Sequence, residues 1–256
     1  MSNVLAIAHK ELRSYFASPI AYIIVGFFAL VIGFFYYATL DYFVRMGMQM
    51  GPTGMGQQSM NLNQQMIRPL FLNMSVIILF ILPFLTARSY SEEKRSGTIE
   101  LLLTSPLTDW QIAMGKFLGC MGLYLTMLSI TLIHFGILFA AGNPDWKPVA
   151  TGFLGLVLFG GCIVALGLFI SSLTRNQIIA GVATFAVVLT LWVIDWLQQS
   201  AGPRTGAVLQ YLSMTGHLDD FVKGIIDTKH VVYYLSFITF GLFLTVKSVD
   251  TERWRG

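Results

Sequence analysis

The chain has 256 residues, 55% of them hydrophobic and only 11% charged, which is more apolar surface than one soluble core of this size can enclose. That excludes an ordinary soluble domain, and a lipid-facing exterior resolves the excess. The net charge of +3 is not read as a nucleic-acid signal, because the basic residues sit between apolar runs, where they orient a membrane chain.

The chain opens on a helical pattern in which Leu5, Ala8, Leu12, Tyr15 and Phe16 share one face while His9, Lys10, Glu11 and Arg13 lie elsewhere. This predicts an N-terminal amphipathic helix in the membrane interface, with Asn3 as its cap. The uncharged run 20–40 follows; at 1.5 Å per residue it reaches about 30 Å, the thickness of the hydrocarbon core, and is span one. It is too long for the apolar part of a cleavable signal peptide and lacks a small-residue cleavage site. Residues 41–69 read as a polar, flexible loop. Met46, Met48, Met50, Met55, Met60 and Met66 in it are either low-complexity filling or soft thioether ligands suited to Cu(I).

Span two is 70–87, interrupted by Pro83, which membrane helices tolerate when neighbours satisfy the freed backbone groups. A charged run then leaves the membrane, with Ser89 and Glu92 spaced as a capping box. Gly97 permits a turn, and 98–104 predicts about two helical turns carrying Leu101, Leu102 and Leu103, stopped before Pro106. So short a helix cannot hide adjacent leucines within itself, so membrane interface or a protein groove must cover them.

A second capping box, Thr108 to Gln111, starts the helix that leads into span three, 117–141. Span four is 149–173, rich in glycine for close helix approach; span five is 178–197; span six is 231–246, short for a crossing. Between the last two, Val208, Leu209, Leu212, Leu218, Phe221, Val222, Ile225 and Ile226 recur among polar residues of 199–230, a pattern for re-entrant or interfacial helices. The fold class is therefore an all-α membrane protein of six transmembrane helices in one domain, 1–256. Lys10, Arg13, Arg88, Lys94, Arg95, Lys116, Arg175, Lys247, Arg253 and Arg255 outweigh Arg45, Arg68, Lys147, Arg204, Lys223 and Lys229, which places both termini in the cytosol.

Motifs for catalysis are missing. The only lysine directly after a glycine is Lys116, followed by Phe117 where a phosphate-binding loop needs serine or threonine, and no HExxH or nucleophile motif occurs. Cys120 and Cys162 lie inside apolar runs as small hydrophobes. Ionisable residues at bilayer depth are His134 and Asp195. Asp195 sits between Trp192 and Trp196 as an interfacial anchor, and a neutral His134 hydrogen-bonded to a neighbouring helix is the simpler reading. Two such groups on different helices make no proton relay, which disfavours an ion-coupled carrier. Paired catalytic groups at one depth are missing too, which disfavours a membrane enzyme.

The stretch after span two resembles the permease subunits of ABC-2 type transporters. That family's pattern is an acidic pair, a Gly-Thr step, a glutamate, two or three leucines, a proline and a lysine at the next span. Glu92, Glu93, Gly97, Thr98, Glu100, Leu101 to Leu103, Pro106 and Lys116 match it. The segment 219–227 and the Val231-Val-Tyr-Tyr-Leu that follows look like the gliding-motility-associated and copper-maturation branch. The resemblance implies a cytosolic coupling helix between spans two and three, with Gly97, Thr98, Ile99, Glu100, Leu101, Leu102, Leu103 and Pro106 meeting a separate ATPase subunit. It implies no cofactor on this chain, ATP and Mg on that partner, a second permease copy or paralogue, and the bacterial cytoplasmic membrane as location. A periplasmic or membrane-anchored accessory protein fits the same resemblance. A non-transporting subunit that passes ATPase-driven motion to motility or assembly machinery would have the same sequence features.

The orientation is tested by single cysteines in intact cells. An impermeant thiol reagent is expected to label Gly54→Cys and Arg204→Cys and to spare Ser96→Cys; labelling at Ser96 overturns the topology.

Overall fold

The computed structural model describes residues 3–49, 62–142, 144–200 and 202–253. Among them the chain is helical with no strand. In order run α1 (Asn3–Ala17), α2 (Pro19–Gln49), a π-helical turn (Asn63–Ile67) continuing into α3 (Arg68–Ser96), α4 (Ile99–Leu103), α5 (Asp109–Ala141), α6 (Trp146–Leu173), α7 (Gln177–Ser200), α8 (Pro203–Leu212), α9 (Met214–Val222) and α10 (Thr228–Arg253). Six of these, α2, α3, α5, α6, α7 and α10, are long and apolar enough to cross a membrane.

Burial sorts them. The most apolar stretches of α3 and α6 are 61% buried and form the centre, whereas those of α2 and α7 are 22% buried and lie outside. Apolar side chains such as Ile23, Leu30 and Tyr37 of α2 and Ile178 of α7 face outward, as a lipid solvent allows and water would not. Pro83 sits within α3, fully inside the bundle. Thr86 donates to the carbonyls of Leu82 and Pro83 there (3.0 and 3.1 Å), the side-chain compensation a membrane proline calls for.

Several boundaries differ from the sequence reading. Residues 41–49 and 62–69 are not loop: α2 runs on to Gln49 and the next helix starts at Asn63, because Asp41 and Arg45 form an i,i+4 ion pair (2.8 Å) that carries the polar end of α2. Residues 50–61, with Met50, Met55 and Met60, lie outside the described residues. Met66 is fully buried in the core, while Met48 on α2 is exposed. The expected break at Ser89 and Glu92 is not there, because α3 continues to Ser96 with Ser89 turned into the protein. Its true stop is Gly97, at φ 75°, the left-handed conformation that glycine adopts without strain. The last crossing helix is 26 residues, Thr228–Arg253, not the short run that hydropathy alone marks. The capping box at Thr108 and Gln111 forms as expected, each side chain on the other's backbone N–H (3.3 and 3.2 Å).

Close approach of α5 and α6 rests on Gly160, where a Cβ would lie 2.3 Å from Tyr124 Cε1. Tyr124 is fully buried and its hydroxyl donates to the Leu156 carbonyl (2.6 Å), so the ring has nowhere to retreat. Gly160→Ala is expected to cost about 1 to 3 kcal/mol by overpacking, seen as a lower thermal unfolding midpoint in detergent. Gly26→Ala on α2, with nothing within 4 Å, is expected to leave that midpoint in place.

Candidate functional site

The residues singled out between spans two and three come together at one end of the bundle. Gly97 turns the chain, Ile99 tucks in, and Thr98, Glu100, Leu101 and Pro106 stay exposed. Leu101 is 73% exposed, an apolar side chain held out on a helix of five residues. Leu102 turns the other way and packs against the bundle, and the Leu103 side chain lies outside what is described. The turn is fixed by hydroxyls: Ser96 Oγ donates to the Glu92 carbonyl (2.9 Å) and meets Thr98 Oγ1 (2.9 Å), while Thr104 and Ser105 close the far side on the carbonyls of Glu100 and Leu102.

Both flanks of this segment are tied to α10. Before it, Lys94 donates to the Ser172 carbonyl and pairs with Glu252 (2.5 Å); after it, Arg253 pairs with Asp109 (2.8 Å) and donates to the Leu107 carbonyl (3.2 Å).

Beneath it lies Lys116, whose ammonium is 1% exposed. An ammonium has three donors, and all three are taken: Glu11 (3.0 Å), Glu93 (2.9 Å) and the Ser89 carbonyl (2.7 Å). The Tyr90 ring lies below, its centroid 5.0 Å away, and Lys10 reaches Glu93 from the surface (3.4 Å). A buried charge is tolerable only when paired and hydrogen-bonded, and here the pairing joins α1, α3 and α5. Helix α1 reaches this position because α5 offers it glycines. A Cβ at Gly115 or Gly119 would lie 2.6 Å from Ile7 or Glu11 respectively. Tyr15 completes the seam: its hydroxyl meets Ser89 Oγ (3.3 Å) and Cys120 Sγ (3.2 Å), and Arg88 covers its ring at 4.2 Å. Burial raises the Tyr15 phenol well above its ordinary range, so it stays a neutral donor.

The sequence reading had Glu93 and Lys116 in its motif and put Glu11 off the packing face, which is corrected here. The stripe that decides is Ile7, Glu11 and Tyr15 at four-residue spacing, set against Gly115 and Gly119. The Asn3 side-chain amide donates to Gln111 Oε1 (3.4 Å). Of the intramembrane groups, Asp195 accepts from Ser213 (3.1 Å) beside Trp192 and Trp196, whose rings meet at a tilt (4.9 Å, 53°), and His134 packs its ring on Tyr36 (5.1 Å).

A family model described as "ABC-2 family transporter protein" matches residues 45–194. The chain is 31% identical over 151 residues to the protein named "Probable multidrug ABC transporter permease YbhR" of Escherichia coli (strain K12), a match covering 55% of this chain and 38% of that protein. It is 29% identical over 113 residues to "Inner membrane transport permease YhhJ" of the same organism, covering 43% of this chain and 29% of that one. The chain thus spans well under half the length of the curated relatives it matches.

Removing the ammonium alone leaves two carboxylates facing each other in a buried site. Lys116→Met is therefore expected to cost about 3 to 5 kcal/mol, measured by thermal unfolding at pH 7. Adding Glu11→Gln and Glu93→Gln should recover most of it; a single variant as stable as the triple would show that the charges do not fasten α1.

Proposed function

The chain belongs to the ABC-2 transporter family, and we propose from that premise that it is the permease subunit of an ATP-driven transporter in a bacterial inner membrane, powered by a separate ATPase subunit. ATP and Mg belong to that partner, and a second permease copy or a paralogue completes the pathway. Within the family we place the chain near the gliding-motility-associated and copper-maturation branch, on the Asp219 to Asp227 stretch. Both termini and α4 face the cytosol in this reading.

The observation that carries it is Leu101. A leucine 73% exposed on a helix too short to persist alone, yet anchored on both flanks, is a preformed knob for an apolar pocket on a partner. Exposed Glu100 beside it supplies a charge-assisted hydrogen bond to a basic or backbone donor there. Leu102 serves the chain's own packing, so Leu101 is the docking leucine.

The test is co-purification of the ATPase with Glu100→Lys, Leu101→Asp permease. Loss of one central apolar contact typically costs about 2 kcal/mol, roughly a thirtyfold weaker complex, and reversing the adjacent charge adds to it. Membrane insertion should be unchanged, since every span keeps its internal backbone bonds. Full recovery of the ATPase with undiminished coupled activity would remove α4 from the mechanism.

A further inference from the structure

At the end of the bundle opposite α4, α9 folds back over the start of α10. His217 of α9 and His230 of α10 are both 5% exposed, and their Nδ1 atoms are 2.5 Å apart. Each outer nitrogen is already committed. His217 Nε2 faces the Tyr211 carbonyl at 3.0 Å, a group that can only accept. His230 Nε2 faces Asp220 Oδ2 at 2.8 Å.

A neutral imidazole has one N–H. If both rings spend theirs outward, two lone pairs confront each other across 2.5 Å. The contact closes only with one more proton, held by an imidazolium, or by Asp220 with the His230 hydrogen turned inward. Either way the row holds one proton more than a carboxylate and two neutral imidazoles. We propose that Asp220, His230 and His217 form a proton-binding site that fastens α9 to α10 when occupied and releases it when empty. A cavity of about 300 Å³, lined by Gln210, Tyr211, Gly216 and Lys229 besides the three, gives water a route to it.

The surroundings keep the added proton off the His217 ring. The His217 ring stacks on Tyr233 (centroids 3.9 Å, 25°). Burial first, then the charges of His230 and Lys229, push the His217 imidazole below its ordinary range against the pull of the Tyr211 carbonyl. The site therefore takes one proton, not two. Other charges facing it are already engaged: Asp219 by Arg68 of α3 (2.7 Å) and Lys223 (2.5 Å), Lys229 by Asp227 (3.0 Å), and Asp195 of α7 by Ser213 (3.1 Å). Lys223 stands 3.8 Å from the other oxygen of Asp220. Helix α6 brings Thr151 and Gly155, which do not titrate, α8 brings Tyr211, and Tyr234 of α10 gives its hydroxyl to the Met214 carbonyl (2.7 Å). Asp220 is left as the partner of His230.

The sign follows from linkage: a proton held by the folded row and not by the unfolded chain stabilises the fold at low pH, and that stabilisation is lost as pH rises and the row empties. Thermal unfolding of the detergent-solubilised chain between pH 5.5 and 8.5 should show the midpoint falling by about 3 °C or more. His230→Gln should flatten the dependence, and Asp220→Asn should move the fall to lower pH. Parallel curves for all three proteins overturn the site. If a variant does not fold, 15N-histidine spectra of the wild type at pH 6 decide. The proposal requires either one imidazole protonated on both nitrogens, or two neutral rings with Asp220 seen as the carboxylic acid by 13C; two neutral rings beside an ionised Asp220 overturn it.

Discussion

Much of the structure at the α4 end depends on one ammonium. Lys116 lies where water cannot reach it, and it is kept charged only by bringing Glu11 from α1 and Glu93 from α3 to within 3.0 Å. This ties a 15-residue N-terminal helix to two helices that are long and apolar enough to cross a membrane. The apolar face of α1 could be satisfied by lipid at many rotations and depths, but a buried carboxylate on a buried lysine has one. The glycines of α5 make the approach possible, and the charges select its register.

That cluster sets the base on which α4 stands. Glu93 is four residues from Gly97, so the last turn of α3 carries both the buried charge and the departure point of the exposed segment. On the other side the Thr108 capping box fixes the start of α5 two turns before Lys116. With Lys94 and Asp109 also held by Glu252 and Arg253, the exposed segment cannot pivot freely on its ends. The segment is thereby fixed to α3, α5 and α10 together.

Legibility in the sequence followed the range of the interaction. The six spans come from composition alone, since lipid selects long apolar helices whatever they pack against. The turn at Gly97, the short helix before Pro106 and the cap at Thr108 are local and were readable from neighbouring residues. What was not readable is pairing at distance. Glu11 meets Lys116 across 105 positions, and nothing around Glu11 distinguishes it from Lys10 or Arg13 until α5 is in place. The ends of the spans were misjudged for a related reason. Polar residues such as Ser89, Glu93 and Lys94 look like the end of a helix by hydropathy, yet the helix continues because each has a partner on another element.

The polar chemistry of the protein accordingly lies at the two ends of the bundle, where helix termini and short helices bring partners that mid-membrane positions lack. Helix α10 spans the distance between those ends. It starts beside His230, bound to α9, and finishes at Glu252 and Arg253, bound to the flanks of α4. Its 26 residues give about 39 Å at 1.5 Å per residue, and no proline interrupts it, so its sequence offers no proline hinge between those ends. The same helix therefore carries the ion pairs at one end and the His217 contact at the other. The ion pairs at the α4 end are partly buried and doubled by hydrogen bonds to the Ser172 and Leu107 carbonyls, which makes them costly to break.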